Sequence, residues 1–276
     1  MAALIYDVGM HRGEDTDFYL KKGYDVVAFE ANPDLISECR NRFRAEIANG
    51  RLRIIDGAIA PASSGETITF YQNSSVSVWG TNDSDWKDRN SKLGSESKEI
   101  MVRRIDIVNV LRTTGIPHYI KIDIEGADKI VLEALNNFDS RPKYISIESE
   151  KVDVQELHNE LQLLASLGYR KFKVVQQGNI PGSKISTITL TGEPLIHTFE
   201  RHASGPFGDD IPQNWITLEE ALDAYKPIFR QYNWFGDQSW IVKLPNFPQR
   251  VARTLYRGVT GHRGPLPGWY DTHASL

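Results

Sequence analysis

Cysteine is nearly absent: Cys39 stands alone among 276 residues. That excludes an intramolecular disulfide framework and fits a reducing compartment. No apolar run approaches the roughly 18 residues a bilayer span requires, and the N-terminus lacks a basic stretch followed by an apolar one. A soluble, cytoplasmic protein with no membrane span is expected. Positive charge is not in excess either. Lys and Arg number 32 against 36 Asp and Glu, a net charge of −4, so no overall field holds a polyanion and nucleic acid is not the expected partner. Internal repeats and low-complexity tracts are missing as well. The remaining composition, 40% hydrophobic and 25% charged, is that of an ordinary globular protein long enough to bury a substantial core in one main domain with an appended segment.

Short apolar runs alternate with helical stretches. Residues 3–8 and 26–29 read as strands around a helix at 16–22, followed by a helix at 33–48 and a strand at 52–55. Further strands are expected at 119–124, 144–147 and 171–175, and helices at 128–135 and 154–167. The last helix carries Val154, Leu157, Leu161 and Leu164 at helical spacing and stops at Gly168. Strands alternating with helices predict an α/β fold, Rossmann-like, with a mostly parallel sheet and helices on both faces. Two stretches depart from the pattern. Residues 66–100 form an insertion, with a hairpin strand at 67–71 and then a polar loop or cap. Residues 191–276 hold eight of the 13 prolines and four of the six tryptophans, and read as an irregular extension packed on the 1–190 domain, a candidate lid. A final strand is expected at 239–244.

The first strand runs directly into Asp7-Val8-Gly9-Met10-His11-Arg12-Gly13, at the sheet end where ligands of open α/β folds bind. The spacing is Gly-x-x-x-Gly and not the Gly-x-Gly-x-x-Gly that cradles a pyrophosphate. Gly9 lets the backbone turn and approach a ligand closely. An acid two residues before that glycine suits a cationic ligand end, such as the amino group and sulfonium of S-adenosylmethionine. Glu30 closes the second strand about 20 residues later, where a carboxylate accepts both ribose hydroxyls of an adenosine cofactor, and Asn32 opens the next helix. Asp56 and Gly57 end the third strand where an adenine would be read. At the fourth strand, Asp123 and Glu125 differ by two and share a face in extended backbone. One of them is expected at the cofactor, the other at an acceptor hydroxyl.

Taken together, the stretches Asp7-Val8-Gly9 through Gly13 and Thr16, Val27-Ala28-Phe29-Glu30-Ala31-Asn32-Pro33, and Lys121-Ile122-Asp123-Ile124-Glu125-Gly126-Ala127-Asp128 resemble the FkbM-type methyltransferases over residues 4–150. The resemblance implies a class I fold, S-adenosylmethionine as cofactor, and O-methylation of sugars, polyketides and related hydroxylated compounds. It also implies cofactor-site positions at Asp7, Gly9, Glu30 and Asp123. The usual family loop reads Asp-Val-Gly-Ala-Asn-x-Gly, and here Met10 and His11 replace Ala and Asn. With a near-neutral reference pKa, His11 is a candidate base, beside a plainer reading in which it packs or hydrogen-bonds locally. Catalysis is thus expected from Asp123 with Glu125 or His11. Glu148, Glu150 and His202 are further candidates.

Trp79, Trp86, Arg89 and Asn90 suggest a surface for a small-molecule or saccharide acceptor, and core packing accounts for the same aromatics. Asp209-Asp210 reads as a solvated pair, and no metal is expected. Two other functions use the same sheet. A nicotinamide-dependent oxidoreductase would want the pyrophosphate loop that is missing, and a non-catalytic adenosylmethionine or nucleotide-binding protein would not need the Asp123 and Glu125 pair.

Overall fold

The computed structural model describes residues 3–73, 81, 97–124, 126–236 and 239–276. Its strands are β1 (Leu4–Val8), β2 (Asp25–Glu30), β3 (Leu52–Asp56), β4 (Ala58–Ile59), β5 (Thr67–Asn73), β6 (Ser97–Ile105), β7 (Tyr119–Ile122), β8 (Tyr144–Glu148), β9 (Lys171–Gln176), β10 (Lys184–Ile188), β11 (Pro194–Thr198) and β12 (Tyr270–Ser275). Helices are α1 (Glu14–Lys21), α2 (Pro33–Arg42), α3 (Arg44–Ala48), α4 (Ile107–Thr114), α5 (Asp128–Ala134), α6 (Val154–Ser166), α7 (Leu218–Phe235) and α8 (Asn246–Thr260).

Seven strands make the central sheet in the order β3-β2-β1-β7-β8-β12-β9. The first five are parallel to their neighbours, and β12 runs antiparallel to both β8 and β9. From β1 the chain winds outward to β2 and β3, then crosses back to β7 and winds the other way. The switch point, where a crevice opens at the carboxyl ends of the strands, therefore lies between β1 and β7. Among the described residues no helix is long and apolar enough to cross a membrane.

Both faces of the sheet are covered, which is why its parallel strands read as short apolar runs. Tyr6, Val8, Ile120, Ile122, Ile145 and Ile147 pack beneath Leu111 of α4, Val131 and Leu132 of α5, Leu157, Leu161 and Leu164 of α6, and Tyr225 and Ile228 of α7. Opposite them, Ile5, Ala28, Tyr119 and Tyr144 meet Phe18 and Tyr19 of α1, Cys39 of α2, and Phe199, Ala203 and Phe207. Phe207, from the segment after β11, lies on this second face; its ring stacks on Tyr119 with centroids 4.2 Å apart and meets Tyr19 of α1 edge-on at 5.7 Å.

Several expectations need correcting. The helix foreseen over 33–48 is two helices, broken at Phe43 (φ −107°, ψ 31°). Phe43 turns inward beneath the β1 loop, so close to Gly13 that a Cβ there would lie 2.3 Å from the ring. The hairpin strand near 67–71 is β5, and its partner β6 went unforeseen because charged Lys98, Glu99, Arg103 and Arg104 interrupt its apolar residues. Residues 239–244 form no strand: Ile241–Lys243 is a 3-10 turn. The last strand is β12. Residues beyond 190 therefore hold more regular structure than their proline and tryptophan content suggests, including two helices and a strand of the central sheet. Trp79, Trp86, Arg89, Asn90 and Glu125 lie outside the described residues.

Candidate active site

At the switch point the chain leaves β1 through Gly9, whose φ of +90° is open to glycine and strained for other residues. The close approach that requires glycine is to the protein itself: a Cβ on Gly9 would stand 2.0 Å from the carbonyl oxygen of Asp123. This corrects the expectation that a ligand occupies that space. The backbone N–H groups of Gly9 and Met10 donate to Phe29 O at 3.1 and 2.9 Å, so the loop is fastened to both neighbouring strands. Gly57 is of the same kind, since a Cβ there would meet Arg103 O at 2.2 Å.

Asp7 is fully buried. Its Oδ2 accepts from the Thr16 hydroxyl at 2.6 Å, and its Oδ1 has no hydrogen-bond partner. Burial pushes its carboxyl up to about 7, partly opposed by the charge of Lys121. The Lys121 ammonium sits in the middle of the site. It donates to Gly9 O at 3.2 Å and lies 3.6 Å from Asp7, 3.5 Å from Asp15 and 3.5 Å from Asp123. Burial alone would lower its pKa, but Asp123, Asp7 and Asp15 outweigh burial and hold it well above the usual lysine value. Asp15 accepts in turn from the backbone N–H groups of Ser204 and Gly205 at 2.9 to 3.2 Å. One lysine thus joins the β1 loop, α1 and the end of β7, and Asp15 extends that network to the segment after β11.

His11 has a left-handed backbone, φ 50°. Its N–H donates to Glu30 Oε2 at 3.0 Å and its Nδ1 lies 2.9 Å from Glu14 Oε1. Its ring packs edge-on against His202, the other non-glycine residue with positive φ among those described. Burial raises the Glu14 carboxyl, but the bond and charge of His11 prevail and hold it below its ordinary value. Glu30 Oε1 accepts from the N–H groups of Ala31 and Asn32 at 2.9 and 2.8 Å. With three backbone donors on it, the Glu30 carboxylate is fixed at the end of β2.

Other predicted positions play supporting parts. Met10 is 2% exposed and belongs to the core. Asn32 caps α2, accepting from Asp34 N–H at 3.0 Å. Asp56 accepts from Arg40 Nη2 at 2.8 and 2.6 Å on an exposed edge, and is not drawn into the Lys121 network. Glu150 caps the turn after β8, accepting from the N–H of Val152 at 2.5 Å. Asp209 accepts from Trp215 Nε1 at 2.9 Å, and Asp210 pairs with Lys22. Among the described residues no His, Cys, Asp and Glu group could hold a metal ion.

A polar row crosses the face of the sheet beneath α1. Asp7, Lys121, Ser146, His273 and Lys173 are successive register partners on β1, β7, β8, β12 and β9, and each is 4% exposed or less. Two residues nearer the carboxyl ends, on the same face, stand Asp123, Glu148 and Asp271. The Asp123 side chain is 40% exposed, and Glu148 pairs with Lys151. Asp271 is buried, and burial with Asp123 and Glu148 nearby drives its pKa well upward. Asp128 is pushed up to about 8 by burial and the same neighbours. Burial thus favours the neutral form of Asp271 and Asp128 and leaves Asp123 and Glu148 as the more exposed carboxyls of this edge.

The glycine loop at the switch point, Glu30, Asp123 and Glu148 all lie between β1 and the start of β9. Residues 7–171 match the family described as the methyltransferase FkbM domain. The chain belongs to the FkbM methyltransferase family. Its cofactor is accordingly S-adenosylmethionine. Similar solved structures include precorrin-6Y C5,15-methyltransferase from Geobacter metallireducens, at 13% identity over 71% of this chain and 76% of that one, with a TM-score of 0.35. Another is a SAM-dependent methyltransferase from Archaeoglobus fulgidus, at 11% identity over 100% and 86%, TM-score 0.37. A third is phosphoethanolamine N-methyltransferase 2 from Haemonchus contortus in complex with S-adenosyl-L-methionine, at 6% identity over 100% and 49%, TM-score 0.36. No curated protein matches the sequence. At these identities the fold assignment rests on the strand order and the family match.

Lys121, Asp15 and Asp271 were not singled out by motif. A lysine inside the apolar strand Tyr119-Ile120-Lys121-Ile122 is nonetheless a legible sign of a buried, paired charge.

Proposed function

We propose that this methyltransferase acts on a hydroxyl of a small hydroxylated acceptor, a saccharide being the favoured class, and that it does so in the cytoplasm. The observation that carries this reading is the pair Asp123 and Glu148 at the carboxyl ends of the neighbouring strands β7 and β8, with side chains 40% and 19% exposed. Carboxylates so placed accept hydrogen bonds from several hydroxyls of one ring. The donor set also suits the cofactor. Asp7 retains a buried oxygen without a hydrogen-bond partner, 3.6 Å from the Lys121 ammonium, and Glu30 is held rigidly at the strand end where a ribose is read.

Asp7, Gly9, His11, Gly13, Glu30 and Asp123 would hold the cofactor, with Met10, Thr16 and Asn32 shaping them from behind and Asp56 and Gly57 at the adenine end. When bound, S-adenosylmethionine supplies a methyl group on a sulfonium, already activated for displacement. The chain's own work is to align a hydroxyl, exclude water and take up its proton. Asp123 orients the acceptor. The base is His11, steadied through Nδ1 by Glu14 as a catalytic base is steadied by a third group, or Glu125. The thiol of Cys39 takes no part: it is buried, and burial pushes it up to about 12, where it stays protonated and inert.

The test follows transfer of a labelled methyl group to a panel of saccharides and other polyols. Asp123→Asn is expected to leave the fold intact and to lower turnover by about 100-fold or more. Near wild-type turnover in that variant would remove Asp123 from the chemistry. Label appearing only on amines would overturn the hydroxyl reading.

A further inference from the structure

Residues 239–270 contain no aspartate or glutamate, yet carry Lys243, Arg250, Arg253, Arg257 and Arg263 in a chain whose net charge is −4. At the centre of this stretch lies α8. Its inner side is accounted for: Ala252 and Tyr256 pack on Phe235, Ile241 and Leu266, and the Gln249 amide donates to Val242 O and Leu244 O at 2.9 and 2.7 Å. The outer side is not. Phe247, Val251, Leu255 and Val259 recur every fourth residue and are 77%, 42%, 64% and 87% exposed. At 1.5 Å per residue they form an apolar stripe about 18 Å long. Arg250, Arg253 and Arg257, spaced three and four apart, form a basic stripe on another side of the helix, with Arg253 half-buried and Arg257 Nη2 donating to Gly264 O at 3.2 Å. Trp240 and Trp269, 63% and 43% exposed, belong to the same acid-free stretch.

We infer that α8 lies on an anionic lipid bilayer, with Phe247, Val251, Leu255 and Val259 entering the headgroup boundary and the arginines meeting lipid phosphates. An exposed apolar stripe flanked by arginine, with exposed tryptophans nearby, is the pattern of a helix lying in the interface plane. The unbalanced positive charge selects an anionic surface and adds roughly a fivefold gain in binding per cation. Other occupants fit less well. A second copy docking the same face would bring two sets of these cations together. Nucleic acid would satisfy the arginines and leave the apolar stripe in water. The active site thereby acts close to a membrane surface, where lipid-linked or membrane-proximal acceptors are concentrated.

The experiment is flotation of the full chain with vesicles of phosphatidylcholine alone or of phosphatidylcholine with phosphatidylglycerol, at low and high salt. The expected result is flotation with the anionic vesicles, falling steeply as salt rises, and little with the neutral ones. Lys243→Gln combined with Arg250→Gln should weaken it about 25-fold, and Leu255→Ser combined with Val259→Ser should abolish it. Adenosylmethionine binding should be unchanged in both, since these side chains are exposed and none belongs to the cofactor site. No flotation of a chain that binds the cofactor overturns the inference, as does equal flotation with both vesicle types. So does a dimer in sedimentation analysis that the Leu255 and Val259 substitutions dissociate while vesicle binding is absent, which would assign the face to a second copy.

Discussion

His273 is a neutral imidazole in the middle of the sheet, 2% exposed, with neither ring nitrogen in a hydrogen bond. Burial, helped by the charge of Lys173, lowers its pKa to about 3, against about 6.5 in an unfolded chain. Between those values the unfolded chain binds the extra proton, so this contribution to stability is fully present above pH 6.5 and is lost as pH falls toward 3. Asp128 and Asp7, raised to about 8 and about 7, act in the opposite sense, stabilising below about pH 4 and less so as pH rises through those values. Comparison with a variant isolates the histidine. His273→Leu should gain on the wild type by about 1.4 kcal/mol for each pH unit below 6.5, read from urea denaturation at pH 7, 6 and 5. A constant difference across that range would mean that His273 is protonated or paired in the folded chain. Lys121 belongs to the same row with the opposite outcome, because three carboxylates surround it. Its position was legible only as a charge inside an apolar strand. The contacts to Asp15 and Gly9 join residues more than a hundred positions apart and leave no local pattern.

Among the elements, the parallel strands were the most legible, because burial on both faces leaves runs such as residues 4–6 and 26–29 free of charged residues. β12 was hidden for the contrary reason. Asp271, His273 and Ser275 occupy one of its faces, continuing the polar row, so the strand reads as a loop although all six residues are buried. It is nevertheless bonded along both edges, to β8 and β9. A chain ending at residue 268 should therefore lose cooperative unfolding and the native circular dichroism, with β9 parted from the sheet. A truncated chain that melts as sharply as the full one would show that β12 is an accessory strand. The glycine loop, Glu30 and Asp123 were legible because strand ends and glycines mark them locally. Asp56 was placed by the same logic, and Arg40 holds it at an exposed edge. The network around Asp15 depends on a segment almost 190 residues away, which no motif announces.

Over the whole molecule, charge is divided by function. Carboxylates gather at the carboxyl ends of β7 and β8, where an acceptor and a cationic cofactor would sit, and on α8 gather arginines that pair with no carboxylate among the described residues. An overall charge of −4 conceals both. The central claim is that the loop after β1, Glu30 and Asp123 form an adenosylmethionine site and not a site for a dinucleotide. Isothermal titration of the folded chain with S-adenosylmethionine and S-adenosylhomocysteine, with NADH as the control, tests this most directly. The account predicts saturable, one-to-one binding of the first two and no heat from NADH. Binding of NADH, or no binding of either adenosyl compound by a sample shown to be folded, would contradict it.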